Sequence, residues 1–130
     1  MKIKDFNTDN YSFPDRRFQM LFYQLSHSEM IIRANKKDNI IGKEYDHNID
    51  IYFADVKYIG IPCELNGINF RKGNKDDYNY LKTKVLENFD EDEITVIISE
   101  GKEYYIIASV IQVEENDLDL LKLPISNFLH

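Results

Sequence analysis

Tryptophan is absent from this chain, cysteine occurs once, and proline and histidine occur three times each in 130 residues. A single cysteine, Cys63, forms no internal disulfide, and so few Cys and His residues supply a poor ligand set for zinc or redox metals. Long apolar runs are missing too. None approaches the ~20 residues that a membrane-spanning helix requires, so no integral membrane insertion is expected. Positive charge is scarce: 16 Lys and Arg stand against 23 Asp and Glu, a formal charge of −7. That balance repels phosphate, which argues against a nucleic-acid partner or an anionic membrane surface. The first ten residues, MKIKDFNTDN, hold no apolar stretch of signal-peptide length, so the cytoplasm is the expected compartment. No phosphate loop, metal-ligand spacing or nucleophile elbow occurs, so no cofactor is expected and the chain leans away from enzymes.

What is present is a sheet-forming pattern. In Asn48–Ile61, NIDIYFADVKYIGI, apolar and polar residues alternate, slip by one position near Ala54–Asp55, and resume. A period of two marks a half-buried strand, and the slip marks a bulge or corner. Arg17–Leu25 and Glu29–Ala34 predict a hairpin across Ser26-His27-Ser28. Ile94–Ser99 and Glu103–Glu114 predict a second, closed by Glu100-Gly101-Lys102. Pro62–Gly67 reads as an exit turn carrying the Asn66-Gly67 dipeptide. Asp76–Phe89 places Tyr78, Leu81, Val85, Leu86 and Phe89 on one helical stripe. Residues 1–16 read as an extended N-terminal arm, Asn35–Asn48 as a polar loop pinned by Ile40 and Ile41, residues 116–123 as a short helical turn, and 125–130 as a docked tail.

The expected fold is therefore one α+β domain over residues 1–130, large enough to bury a core without staples. It is mainly an antiparallel curved sheet of about six strands, a half-barrel or two layers, with one covering helix. Abundant Ile, Asn, Lys and Tyr suggest a low-GC, bacterial source.

Candidate sites are few. Asp90, Glu91, Asp92 and Glu93 form an acidic run that lacks the alternating spacing and central glycine of a calcium loop, but suits contact with a cationic partner. Tyr45 and Asp46 extend that contact surface, because tyrosine is enriched at interfaces. An alternative is a small-molecule pocket within the curved sheet, with His27, Arg33, Tyr52 and Tyr58 as its polar groups. His27 between two serines lacks an oriented third group for nucleophilic catalysis. Cys63 beside Glu64 lacks anything to lower its pKa and reads as a small buried hydrophobe. The basic pairs Arg16-Arg17, Lys36-Lys37 and Arg71-Lys72 read as ordinary surface charge.

Three stretches, Leu25–Arg33, Asn48–Phe53 and Ile59–Gly67, together resemble small bacterial proteins with no established activity. In those a Ser-His turn precedes an aliphatic-Arg strand, and a Pro-x-x-Leu-x-Gly corner follows. The resemblance implies framework roles for Ser26, His27 and Arg33 and carries over no functional residue. The expected function is a non-catalytic protein-binding domain, an antidote-like or regulatory partner of another, basic protein. A homo-oligomeric component is a further reading.

Overall fold

The computed structural model describes residues 2–5 and 11–119, with side chains for 11–119. Strands dominate. In chain order they are β1 (Lys2–Asp5), β2 (Ser12–Gln24), β3 (Glu29–Ala34), β4 (Lys37–Asp38), β5 (Lys43–Glu44), β6 (Asn48–Gly60) and β7 (Glu64–Lys72). The helix α1 (Lys75–Lys82), β8 (Ile94–Ser99) and β9 (Lys102–Asn116) complete the described elements. The architecture is a curved antiparallel sheet with one α-helix, a strand-dominated α+β arrangement.

Neighbouring strands run in the order β1-β9-β6-β3-β2-β7-β8, and every ladder is antiparallel. The 15-residue β9 reaches both flanks of the sheet: residues 102–107 pair with β8, and residues 105–116 pair with β6. The turn between β8 and β9 consists of Glu100 (φ 52°) and Gly101 (φ 76°). Positive φ at both positions matches the right-handed twist of the strands it joins.

Alternation along each strand sorts its side chains to two faces. Phe18, Met30, Ile32, Ile49, Ile51, Phe53, Leu65, Ile68, Ile97 and Ile106 meet in the main core on the inner face. On the outer face, Leu81 and Phe89 pack against Ile94, Val96 and Ile107. That second layer explains why β8 and the first half of β9 are apolar on both sides. A third, smaller cluster joins Ile31 and Tyr52 to Leu21, Phe22, Ala54 and Val110.

The slip in the β6 pattern is a bulge: Asp55 takes φ 52°, and the register with β9 shifts between Val56 and Tyr58. Asn66-Gly67 departs from its expected role as a turn. It lies inside β7, where Gly67 (φ 69°) sits so close to the Pro14 carbonyl that a β-carbon would lie 2.7 Å from its oxygen. Glycine is used there for close approach of two strands, at the register shift between Phe13 and Arg17. The helix also stops earlier than its stripe predicts, at Lys82 rather than Phe89. Asn74 and Asp77 form a capping box at its start, yet beyond Thr83 the chain turns, burying Phe89 and leaving Leu86 wholly exposed. Residues 1–16 are not simply an arm: β1 lies along β9, and Ser12 already begins β2. Asn116 closes β9 and residues 117–119 carry no helix, so the helical turn expected over 116–123 is absent that far; residues 120–123 and the tail 125–130 lie outside the described residues.

Candidate functional site

The chain has four arginines, and each one fastens backbone or a carboxylate. Arg33 on β3 and Asp50 on β6 are register partners, and both side chains are 0% exposed. Arg33 donates through Nε to Asp50 Oδ1 at 2.7 Å and through Nη2 to Oδ2 at 2.9 Å, the two-pronged geometry that suits guanidinium to carboxylate. Asn116 Nδ2 lies 2.7 Å from Asp50 Oδ2 and 2.6 Å from Glu114 Oε1, and Asn48 Nδ2 donates to Asn116 Oδ1 at 2.9 Å. These residues form one polar network on the outer face of β3, β6 and β9. One turn of pleat away, the Tyr52 hydroxyl donates to Glu29 on the same face. Burial first, then the neighbouring Glu29 carboxylate, push the Tyr52 pKa above its ordinary range.

Arg17 is buried and pairs with Asp38, through Nε to Oδ2 at 2.9 Å and Nη2 to Oδ1 at 3.2 Å. Asp38 also accepts the amide N–H of Ile40 at 3.1 Å. Arg16 Nη2 reaches the carbonyls of Ala34, Asn35 and His47 at 3.0–3.1 Å, and its guanidinium lies 3.8 Å from the centre of the Tyr45 ring. The 35–48 loop is therefore held by arginines beneath it. Ile40 and Ile41, expected to pin it, are exposed. The arginine pairs read in sequence as plain surface charge are framework bonds, and the signal that could have found them is scarcity. With 12 lysines available for solubility, an arginine marks a place where a planar, two-pronged donor is required.

Arg71 repeats the device at the helix start, donating to Asp77 Oδ2 at 2.7 Å and to Glu103 Oε2 at 2.8 Å. The Arg71 bond, with help from the Asn74 amide, holds the Asp77 pKa below its ordinary value despite burial. In the acidic run, Glu93 is committed: Lys57 Nζ lies 3.0 Å from its Oε2, and the Ser109 hydroxyl 2.8 Å. Burial would raise the Glu93 pKa, but the Asp90 amide, Ser109 and Lys57 outweigh it and hold it low. Asp90, Glu91 and Asp92 remain exposed around a single 3-10 turn, as does Asp46 on its loop. Tyr45 is half-buried and donates its hydroxyl to the Asp15 carbonyl at 2.9 Å, so it is less available than expected.

The alternative pocket residues are not gathered around one cavity. Arg33 and Tyr52 share the outer face of β3 and β6, Tyr58 packs in the helix-side cluster, and His27 is exposed in the turn after β2. A cavity of ≈ 210 Å³ is lined instead by Asn35, Lys36, Asn48 and Leu118 among others, below the roughly 300 Å³ at which ligand pockets begin. Among the described residues, no three His, Cys, Asp or Glu side chains converge as a metal site would require. No helix of the described residues is long and apolar enough to cross a membrane. Cys63, expected to be buried, is exposed.

The remaining unusual feature lies at the end of β2. Its pairing with β7 stops at Gln19–Glu64, and one further backbone bond joins Met20 N–H to the Cys63 carbonyl at 3.2 Å. β2 then continues to Gln24, paired among the described residues with β3 alone, with a bulge between Met20 and Phe22. Among the described residues, no strand covers the other edge of Leu21–Gln24. Beside that edge Met20 is 37% exposed and Tyr23 43%, and Leu25, in the 3-10 turn that follows, is 77% exposed. Residues 18–28, FQMLFYQLSHS, contain no Lys, Arg, Asp or Glu, the longest such run in the chain. No family model, curated protein or solved structure matches this chain.

Proposed function

We propose that this chain is a non-catalytic protein-binding domain of the bacterial cytoplasm, an antidote-like or regulatory partner that takes up an extended segment along the free edge of β2. The observation that carries this reading is that edge: main-chain donors and acceptors beside Met20, Tyr23 and Leu25, with no formal charge over 11 residues. Edge strands are ordinarily guarded by lysine, proline, a bulge or a covering element. β2 carries a bulge between Met20 and Phe22 but no lysine or proline over Leu21–Gln24, and strand addition at an exposed edge is an established mode of recognition. The fate of the ionisable groups supports it from the other side. Arg17, Arg33, Arg71, Lys57 and their carboxylates fasten strands and loops together, and among the described residues no nucleophile, base and orienting group are aimed at a common point. Exposed Asp90, Glu91 and Asp92 would steer a basic partner and raise its rate of encounter.

The test is a photo-reactive amino acid placed at position 25 in the full chain and irradiated in cells of the source. The expected result is one adduct of fixed mass and stoichiometry, abolished when Tyr23→Lys is added. Absence of any adduct above the dark control would overturn the reading.

A further inference from the structure

We propose that the cavity between β3, β6 and the chain just beyond β9 is a binding site for a small α-amino acid, held as its zwitterion. The site stands apart from the β2 edge and goes beyond the strand-capture reading. It lies where the chain leaves β3 at Asn35 and enters β6 at Asn48, against residues of the 117–119 stretch. Its volume of ≈ 210 Å³ excludes drug-sized molecules. At roughly 30 Å³ for each water-sized group, it admits a ligand of about seven non-hydrogen atoms.

Asn35 is the observation that asks for a ligand. It lines the cavity and is only 7% exposed, yet among the described residues its side-chain amide makes no hydrogen bond. Such a group is exceptional, because a buried carboxamide without partners has lost its water and gained nothing in return. Asn48, in the same wall, shows the ordinary arrangement. Its Oδ1 accepts the Lys36 amide N–H at 2.7 Å, and its Nδ2 donates to Asn116 Oδ1 and to the Leu118 carbonyl, each at 2.9 Å. Asn48 is therefore wall, and Asn35 is the open donor and acceptor.

The charges around the cavity select the ligand. The Lys36 ammonium is committed to the Asp117 carbonyl. Lys37 lines the cavity as well, and its Nζ lies 3.9 Å from Glu44 Oε1, both side chains being exposed. An exposed contact of that length holds a lysine weakly, so Lys37 is available to a carboxylate. Asp119 lines the cavity too, and among the described residues its carboxylate meets no cation within bonding distance. It suits an ammonium. A simple anion would face Asp119 with like charge, and a simple amine would face Lys37 in the same way, whereas a zwitterion satisfies both. Leu118 leaves an apolar wall for a short side chain.

Titration of the full, isotopically labelled chain with L-serine, read by NMR at the asparagine side-chain amides, tests this. A saturable shift of the Asn35 signals is expected. Lactate, which lacks the ammonium, and ethanolamine, which lacks the carboxylate, are each expected to bind at least about tenfold more weakly. Asn35→Leu removes an amide that bonds nothing within the described chain, and Lys37→Met removes an exposed charge. Both are expected to weaken L-serine at least about tenfold with an unchanged melting temperature; Lys37→Met serves if Asn35→Leu fails to fold. Asn35 signals that L-serine leaves unmoved up to its solubility limit overturn the site, the amide then serving water alone. Lactate or ethanolamine binding as tightly as L-serine overturns the zwitterion, and full affinity in both variants overturns the proposal by placing the amino acid elsewhere.

Discussion

The outer face of β3, β6 and β9 and the far end of β2 invert the usual rule of where charge and oil belong. On the former, Arg33, Asp50 and Glu114 are fully buried with Asn48 and Asn116 nearly so; on the latter, Met20, Tyr23 and Leu25 lie open. Each departure teaches something different. A buried, fully bonded ion pair between strands fixes register, because a one-residue slip would carry Arg33 or Asp50 to the apolar inner face without its partner. An uncharged open edge fixes nothing within the chain. Its cost to a solitary copy is aggregation risk, and that risk is tolerable where something covers the edge.

The largest break in this comparison comes from deleting one member of the buried pair. Asp50→Ala leaves the Arg33 guanidinium inside the protein without its carboxylate, and denaturant unfolding is expected to show a loss of about 3–5 kcal/mol. The double replacement Arg33→Met/Asp50→Leu is expected to recover much of that loss, since neither charge is then stranded. If the double variant is as unstable as the single, the pair does more than satisfy itself.

Acid sharpens the contrast next. Asp38, Asp77 and Glu93 have pKa values held below their ordinary 3.8, 3.8 and 4.5. The unfolded chain therefore binds their protons more readily than the folded one. Their contribution is complete above those ordinary values and is lost as pH falls through the lower folded ones. Thermal melts are expected to be flat from neutral down to about pH 5 and to fall steeply below pH 4. Because residues 18–28 carry no acid or lysine, the β2 edge contributes nothing to that fall.

Smaller still is the helix cap. Asn74→Ala removes the acceptor for the Asp77 amide, a 3.0 Å bond, and is expected to destabilise by about 1 kcal/mol in the same unfolding assay. Smallest is the edge itself: Tyr23→Lys or Leu25→Glu should change monomer stability by no more than about 0.5 kcal/mol, since both positions are exposed. Their effect belongs to association, and a large stability loss from either would show that the edge is covered from within.

Much of the fold was legible because it is written in alternation. The β2–β3 and β8–β9 hairpins, the bulge at Asp55 and the start of α1 follow from period-two and period-3.6 patterns that local sequence carries. What was not legible depends on distance in the chain. Arg17 and Asp38 are separated by 21 residues, and Arg33 and Asp50 by 17, so nothing local distinguishes them from solvated charge. Asn66-Gly67 carries the same letters as a hairpin turn, yet β7 uses its glycine to let Pro14 approach. Leu86 completes a helical stripe but lies beyond the helix end. The β2 edge was hidden for another reason: Arg17–Leu25 is apolar on both faces, as a central strand would be, and only the early end of β7 exposes it.

Amide hydrogen exchange at low protein concentration tests the central claim most directly. Within Leu21–Gln24, amides facing away from β3 are expected to exchange at least a hundredfold faster than those of Ile31–Arg33. Protection equal to that of Ile31–Arg33 in the dilute monomer would contradict the account, because the edge would then already be filled.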